Sequence, residues 1–154
     1  MNEPRDKIVT VTLIFLLSLF LQVMFGFADV RDTPNKAAAE FAKSYFCFDK
    51  AMADRLCEES KTADDTDVVG SYIYRAENEA RERGYSLFYM KESLYHVETH
   101  LLNENATSAE VRLVCQTKPP LQYFFTKKSS EVDETLKLKK ENGVWKVCGR
   151  PFSL

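Results

Sequence analysis

The spacing of the hydrophobic residues changes at Gly84, and this change constrains the fold more than any other feature of the chain. Before Gly84, apolar residues recur at helical intervals, which predicts helices over residues 34–46, 49–59 and 69–80. From Leu94 onwards apolar and polar residues alternate, as is typical of strands with one buried face. Helices followed by antiparallel strands predict an α+β fold.

The alternating region predicts four antiparallel strands, the last two joined by a tight turn at Asn142-Gly143. One face of this sheet is apolar, so the helices must cover it. The two layers then enclose a cone whose wide end can stay open as a pocket. The side chains predicted to point inward are Tyr95, Val97, Thr99, Leu101, Val111, Leu113, Cys115, Leu136, Leu138, Trp145 and Val147.

The N-terminal part of the chain contains an uncharged run over residues 8–28. A helix of this length is about 31 Å long, close to the thickness of the bilayer core. Residues 1–28 are therefore interpreted as a transmembrane anchor, or as a signal peptide cleaved after Ala28, and both place residues 29–154 outside the cytoplasm. We expect a protein of the bacterial inner membrane that faces the periplasm, or a periplasmic protein if the segment is cleaved.

The remaining 126 residues suffice for one domain with a real core. The net charge is −2 and acidic and basic residues are interspersed, which argues against nucleic acid as a partner.

Two stretches resemble the NTF2-like superfamily, also called the cystatin-like α+β cone. Residues 33–56 are similar to its opening pair of helices, and residues 136–149, with the sequence LKLKKENGVWKVCG, are similar to its closing hairpin. The resemblance implies that residues 29–154 form an NTF2-like domain like those of small exported bacterial members. The superfamily includes ketosteroid isomerases and dehydratases, but also transport factors and secretion-system subunits, so the fold implies no activity.

A pocket enzyme of this superfamily needs an acid inside the cone, with Tyr or His partners. None of the residues predicted to point inward is Asp, Glu or His, and Asp49 is interpreted as a helix cap. We therefore expect no catalytic residue and no cofactor, while an isomerase or dehydratase remains the alternative. The residues predicted to line the pocket are Tyr45, Tyr72, Tyr95, Val97, Thr99, Leu113 and Trp145.

Two other groups of residues suggest binding. His96, Glu98 and His100 share one strand face, but the two histidines would lie roughly 13 Å apart, too far to bind one zinc ion, so we expect no metal site. Tyr123, Phe124 and Phe125, followed by two lysines, suit a membrane interface or a partner groove. The alternative for this loop is a hairpin tip that folds back on the core.

The four cysteines allow three complete pairings. Cys47 and Cys115 have apolar surroundings and are interpreted as buried thiols. Cys57 lies at a helix end and Cys148 where the last strand stops, so the predicted disulfide is Cys57–Cys148. Four reduced thiols are the alternative.

These features together predict an exported accessory domain, tethered to the membrane through residues 8–28, that binds an apolar small ligand or a protein partner. A homodimer or an envelope protein would be such a partner. A purely structural subunit of an envelope complex is a further alternative, and it would show an exposed apolar patch and no open pocket.

Overall fold

The structure is a computed structural model that describes residues 3–118 and 129–154. It divides into two compact units, the first ending at Arg31 and the second running from Asp32 to Leu154. The first unit is a single helix, α1 (Glu3–Val30), and its large hydrophobic side chains between Val9 and Met24 are exposed. Within the part of the chain that could be assessed, no helix has the length and apolarity needed to cross a membrane.

The second unit begins with helix α2 (Pro34–Phe46), as predicted. Thr33 caps this helix, because its hydroxyl accepts a hydrogen bond of 3.2 Å from the Lys36 amide, and Pro34 occupies the first turn. One face of α2 is buried and consists of Pro34, Ala37, Ala38, Phe41, Ala42 and Tyr45. The small alanines let the helix lie close to the sheet, while the two rings fill the remaining space.

The predicted second helix over residues 49–59 is wrong in its extent. The chain forms a 3₁₀-helix (Lys50–Arg55) and, after a break, the short helix α3 (Glu58–Lys61). The break occurs because the Cys57 amide donates to the Val147 carbonyl at 2.8 Å and Leu56 forms a bridge with Val147. Asp49 caps the 3₁₀-helix by accepting from the Ala51 amide at 3.0 Å, which confirms its interpretation as a cap.

Helix α4 (Val68–Glu82) follows a small hairpin of β1 (Thr62–Ala63) and β2 (Thr66–Asp67). It ends just before Gly84, whose φ of +79° is the left-handed conformation that a helix-terminating glycine adopts. A second 3₁₀-helix (Leu87–Met90) leads into the main sheet.

The main sheet has the order β3-β4-β5-β6 and is antiparallel throughout. Its strands are β3 (Ser93–Glu104), β4 (Ser108–Lys118), β5 (Ser130–Glu141) and β6 (Val144–Cys148). Asn142 and Gly143 both have positive φ, 52° and 85°, which confirms the predicted two-residue turn. A last 3₁₀-turn (Pro151–Ser153) follows β6.

The core lies between α2, the first 3₁₀-helix and the inner face of the sheet. Its largest fully buried side chains are Phe41, Met52, Leu56, Val111, Leu113, Leu136, Leu138 and Val147. The predicted α+β fold is therefore confirmed, with the helices covering one face of an antiparallel sheet.

Candidate functional site

The C-terminal end of α2 meets α4 in a group of aromatic rings. Tyr45 is 8% exposed, and its ring stacks on that of Tyr72, with 4.6 Å between centroids. The Tyr72 hydroxyl donates to the Tyr45 carbonyl at 3.4 Å, and the Tyr45 hydroxyl donates to the Phe152 carbonyl at 2.8 Å. Burial raises the pKa of both tyrosines, so both remain neutral hydrogen-bond donors at physiological pH.

A carboxylate also faces this end of the cone, contrary to the expectation that no acid would do so. Glu134 pairs with Leu113 across the sheet, which places it on the inner face, where it is half-buried. Its Oε1 accepts a hydrogen bond of 3.1 Å from the Phe152 amide. The residue was missed because β5 was expected to begin at Leu136, and continuing the alternation two residues back from Leu136 would have found it.

Two predicted pocket residues on β3 lie elsewhere. The register runs from Tyr95↔Gln116 to Glu98↔Val114, so His96 and Val97 form a bulge, and His96 has a φ of 49°. The bulge shifts the alternation by one residue, which turns Tyr95 to the outer face. Tyr95 and Val97 are 44% and 40% exposed, so the prediction that they line the pocket is wrong.

The other predicted pocket residues are on or near the core, but they do not converge on one cavity. Leu113 is fully buried, Thr99 pairs with it and is half-buried, and Trp145 is 3% exposed. Of the predicted set, Tyr45 and Tyr72 are brought into ring contact.

Trp145 lies next to a group of ion pairs at the other end of α2. Arg55 Nη1 is 2.8 Å from Asp32 Oδ1, and Arg55 Nε donates to Glu40 at 2.8 Å. The second oxygen of Asp32 accepts from the Trp145 amide at 2.6 Å. These bonds fasten the start of α2 to β6 and to the first 3₁₀-helix, so this end of the cone is closed by structural contacts.

The structure contains a disulfide between Cys57 and Cys148, with 5.0 Å between their Cα atoms. It joins the break after the first 3₁₀-helix to the end of β6, the pair that the sequence favoured. Cys115 is buried and Cys47 is half-buried, both as free thiols, and burial raises the pKa of Cys115.

Among the described residues, one group of three side chains is of the types that can bind a metal ion. The ligand atoms of Cys57, Glu59 and Cys148 all lie within 4.8 Å of one another. Both sulfur atoms belong to the disulfide and are not thiolates, so this group is not a metal site in its present form. The expectation that His96 and His100 do not bind one zinc ion stays a prediction. His100 lies 3.5 Å from the Glu98 carboxylate.

Two surface grooves lie beside the disulfide. One has a volume of 390 Å³ and is lined by residues of β4 and β5, including Glu110 and Lys137; the other, of 620 Å³, lies between the β1–β2 hairpin and α4. Both grooves are open and include Glu59 and Gly149 in their walls. Their charged walls have their own ion pairs, such as that of Lys139 with Glu59 at 2.7 Å.

Apolar side chains are exposed along β3, which is an edge strand of the main sheet. We call Tyr95, Val97, Leu101 and Leu102 the β3 surface; their exposures range from 40% to 55%. The register shifts at His96–Val97 and at Leu102 explain why apolar residues appear on both sides of the strand. The aromatic loop residues Tyr123, Phe124 and Phe125 lie outside the described residues.

Comparison with known proteins finds a likeness in fold. A crystal structure designated an NTF2-like transpeptidase from Campylobacter jejuni has a TM-score of 0.47 and 15% sequence identity, covering 77% of this chain and 99% of that chain. No family model matches the chain, and no curated protein matches its sequence.

The helices followed by a four-stranded antiparallel sheet have the α+β architecture that the resemblance of residues 33–56 and 136–149 to the NTF2-like superfamily implied. The fold alone assigns no activity.

Proposed function

We propose that the second unit is a protein-binding domain, tethered to a membrane through residues 8–28, and that it carries out no catalysis. The observation that carries this proposal is the β3 surface. Its apolar side chains lie along an edge strand of the sheet, the place where a partner can add a strand. Exposed apolar residues on both sides of an edge strand would be covered together by a partner that binds along this edge.

The alternative of a pocket enzyme has less support, although an acid does face the cone. The Glu134 carboxylate accepts from the Phe152 amide, and the Tyr45 hydroxyl is engaged by the Phe152 carbonyl. A general base must reach a substrate proton at hydrogen-bond distance, and here that position is filled by the chain itself.

The protein partner also has more support than an apolar small ligand. The rings of Phe41, Tyr45, Phe46 and Phe152 pack against one another at this end of the cone, so a small ligand would first have to displace Phe152. A structural subunit of an envelope complex would show the same two features, so it remains the second candidate. The two differ in whether the partner exchanges or stays permanently bound.

Photo-cross-linking of the full chain in its native membrane tests the partner surface. Benzoylphenylalanine at Leu102, which is 55% exposed, should give one adduct of defined mass. Benzoylphenylalanine at Tyr74 is the control, because Tyr74 is 63% exposed but belongs to α4. An adduct at twice the chain mass identifies a homodimer. The proposal fails if Leu102 gives no adduct, or gives the same adducts as Tyr74.

The tether is supported by the uncharged run over residues 8–28. Alkaline phosphatase fused after Leu154 should be active in a bacterial host, because this enzyme needs periplasmic disulfides. Membrane fractionation of the same fusion then separates an anchor, which keeps activity in the membrane, from a cleaved signal, which releases it. An inactive fusion would overturn both forms of the export proposal.

A further inference from the structure

The ring of Phe152 occupies a slot made by three other aromatic rings. It is stacked on Phe41 with 6.2 Å between centroids, and it contacts the rings of Tyr45 at 5.0 Å and Phe46 at 5.3 Å. Phe41 is fully buried, so the slot reaches into the core of the cone. Ring pairs at these separations attract one another beyond simple area burial.

The main chain of Phe152 is held in an unusual way. Its amide donates to Glu134 Oε1 at 3.1 Å and its carbonyl accepts from the Tyr45 hydroxyl at 2.8 Å. Side chains thus form hydrogen bonds with both the N–H and the C=O of a single residue, as peptide-binding domains do with a bound peptide. The three features that are recognised are an N–H donor, an aromatic ring and a C=O acceptor.

Phe152 adopts this position in a strained conformation. Its φ of 52° and ψ of 25° lie in the left-handed region, which non-glycine residues disfavour. The segment 150–154 contains one turn of 3₁₀-helix (Pro151–Ser153), closed by a bond from the Leu154 amide to the Pro151 carbonyl at 3.0 Å. It belongs to neither the sheet nor a long helix, and Phe152 and Leu154 pack against the core from outside those elements.

The departure of this segment would expose a defined chemistry. The Glu134 carboxylate and the Tyr45 hydroxyl would face the slot without their present partners. A hydrocarbon would satisfy the rings but leave an inward carboxylate and a hydroxyl unpaired, which is unfavourable. An aromatic residue within a peptide would satisfy all of these groups, as Phe152 does.

We propose that the slot filled by Phe152 is a binding site for an aromatic residue of a partner peptide, and that the segment 150–154 occupies it as an internal competitor. The site uses residues of α2 and of β5, an inner strand, whereas the β3 surface belongs to an edge strand that is not a neighbour of β5. The two proposals therefore stand or fall separately. The apparent affinity of the slot for a partner is its intrinsic affinity multiplied by the fraction of time that Phe152 is out.

The test uses N-acetylphenylalaninamide as the probe, because it carries the amide, the ring and the carbonyl and little else. The full chain with Phe152→Gly leaves the slot empty and accommodates the positive φ. Isothermal titration should show the probe binding this variant at least tenfold more tightly than the unaltered chain. N-acetylalaninamide, which lacks the ring, should bind neither.

A second pair of measurements separates peptide recognition from the filling of a cavity. Toluene should bind the Phe152→Gly chain through the rings alone. Adding Tyr45→Phe should weaken the binding of N-acetylphenylalaninamide about tenfold and leave that of toluene unchanged, since only the former uses the hydroxyl. If Tyr45→Phe affects both probes equally, or neither, the slot is a cavity and the proposal is wrong.

The unaltered chain provides the decisive measurement if the variants do not fold. Excess N-acetylphenylalaninamide should displace the segment, so that the Phe152 amide exchanges with deuterium faster. The Ala42 amide, in the interior of α2, is the control and should keep its rate. An unchanged Phe152 rate at millimolar probe overturns the proposal.

Discussion

Removal of the Cys57–Cys148 disulfide is expected to cause a large loss of stability. The bridge joins residues 91 positions apart, and in the chain-entropy model a loop of this length contributes roughly 4.6 kcal/mol at 25 °C. The second unit spans 123 residues, so its unfolding entropy is about 0.26 kcal/mol per kelvin. Cys57→Ala with Cys148→Ala should therefore lower the melting temperature by roughly 15–20 °C.

Thermal unfolding of the full chain, followed by circular dichroism with and without a phosphine reductant, measures this effect. Cys47→Ala is the matched control, because Cys47 is a half-buried free thiol in the same unit and its loss should cost no more than about 1 kcal/mol. The control should also keep the full sensitivity to reductant. A double variant that melts within about 4 °C of the unaltered chain would refute the entropic reasoning, and an unaltered chain indifferent to reductant would refute the disulfide itself.

Three further outcomes follow from single contacts. The Phe152→Gly variant should be more stable than the Phe152→Ala variant by about 1 kcal/mol, the reverse of the usual order, because residue 152 has a positive φ. Chemical denaturation of the two variants measures this difference. Asp32→Ala should destabilise the chain by about 1–3 kcal/mol in the same assay, since it leaves the largely buried Arg55 short of a partner. Arg112 lowers the pKa of Asp133 through a hydrogen bond to its carboxylate. The unaltered chain should therefore be more stable than the Asp133→Asn variant at neutral pH, and this difference should disappear as acid protonates the folded carboxylate. Unfolding curves over a pH series measure the difference, and a difference that persists at low pH would contradict the prediction.

Local signals account for the parts of the fold that the sequence predicts well. Helix α2 has its cap, its proline and its apolar stripe within one segment, and its observed bounds are those expected. The turn at Asn142-Gly143 needs two residues that tolerate positive φ, and few other residue pairs do so. These features depend on neighbours along the chain, so spacing alone reveals them.

The errors occur where distant contacts override the local pattern. The helix expected to reach residue 59 is interrupted because Leu56 and Cys57 bond to Val147, about ninety residues away. In β3 the alternation of Tyr95, Val97 and Thr99 looks regular, yet the bulge at His96 moves Tyr95 to the other face. A bulge of this kind changes no residue type, so the sequence carries little sign of it.

The candidate slot was only half predictable for the same reason. Tyr45 and Tyr72 follow from the helical stripe, and their rings stack on each other in the structure. Glu134 could have been predicted by extending the alternation of β5 two residues back from Leu136. Phe152 was not, because a lone phenylalanine after a proline in a short segment has no periodicity, and only the rings it meets explain its position.

The two ends of α2 differ in how easily the contacts that close them could open. At its start, Asp32 and Arg55 form a charged network that is about one-fifth exposed, and opening it would leave partly buried charges unpaired. At its other end, the closure consists of two hydrogen bonds to Phe152 and a stacked ring on a strained, three-residue turn. Because the second closure is the easier one to open, the exchange we propose between Phe152 and a partner peptide would take place at the Tyr45 end, while the contacts at the Asp32 end hold the fold together.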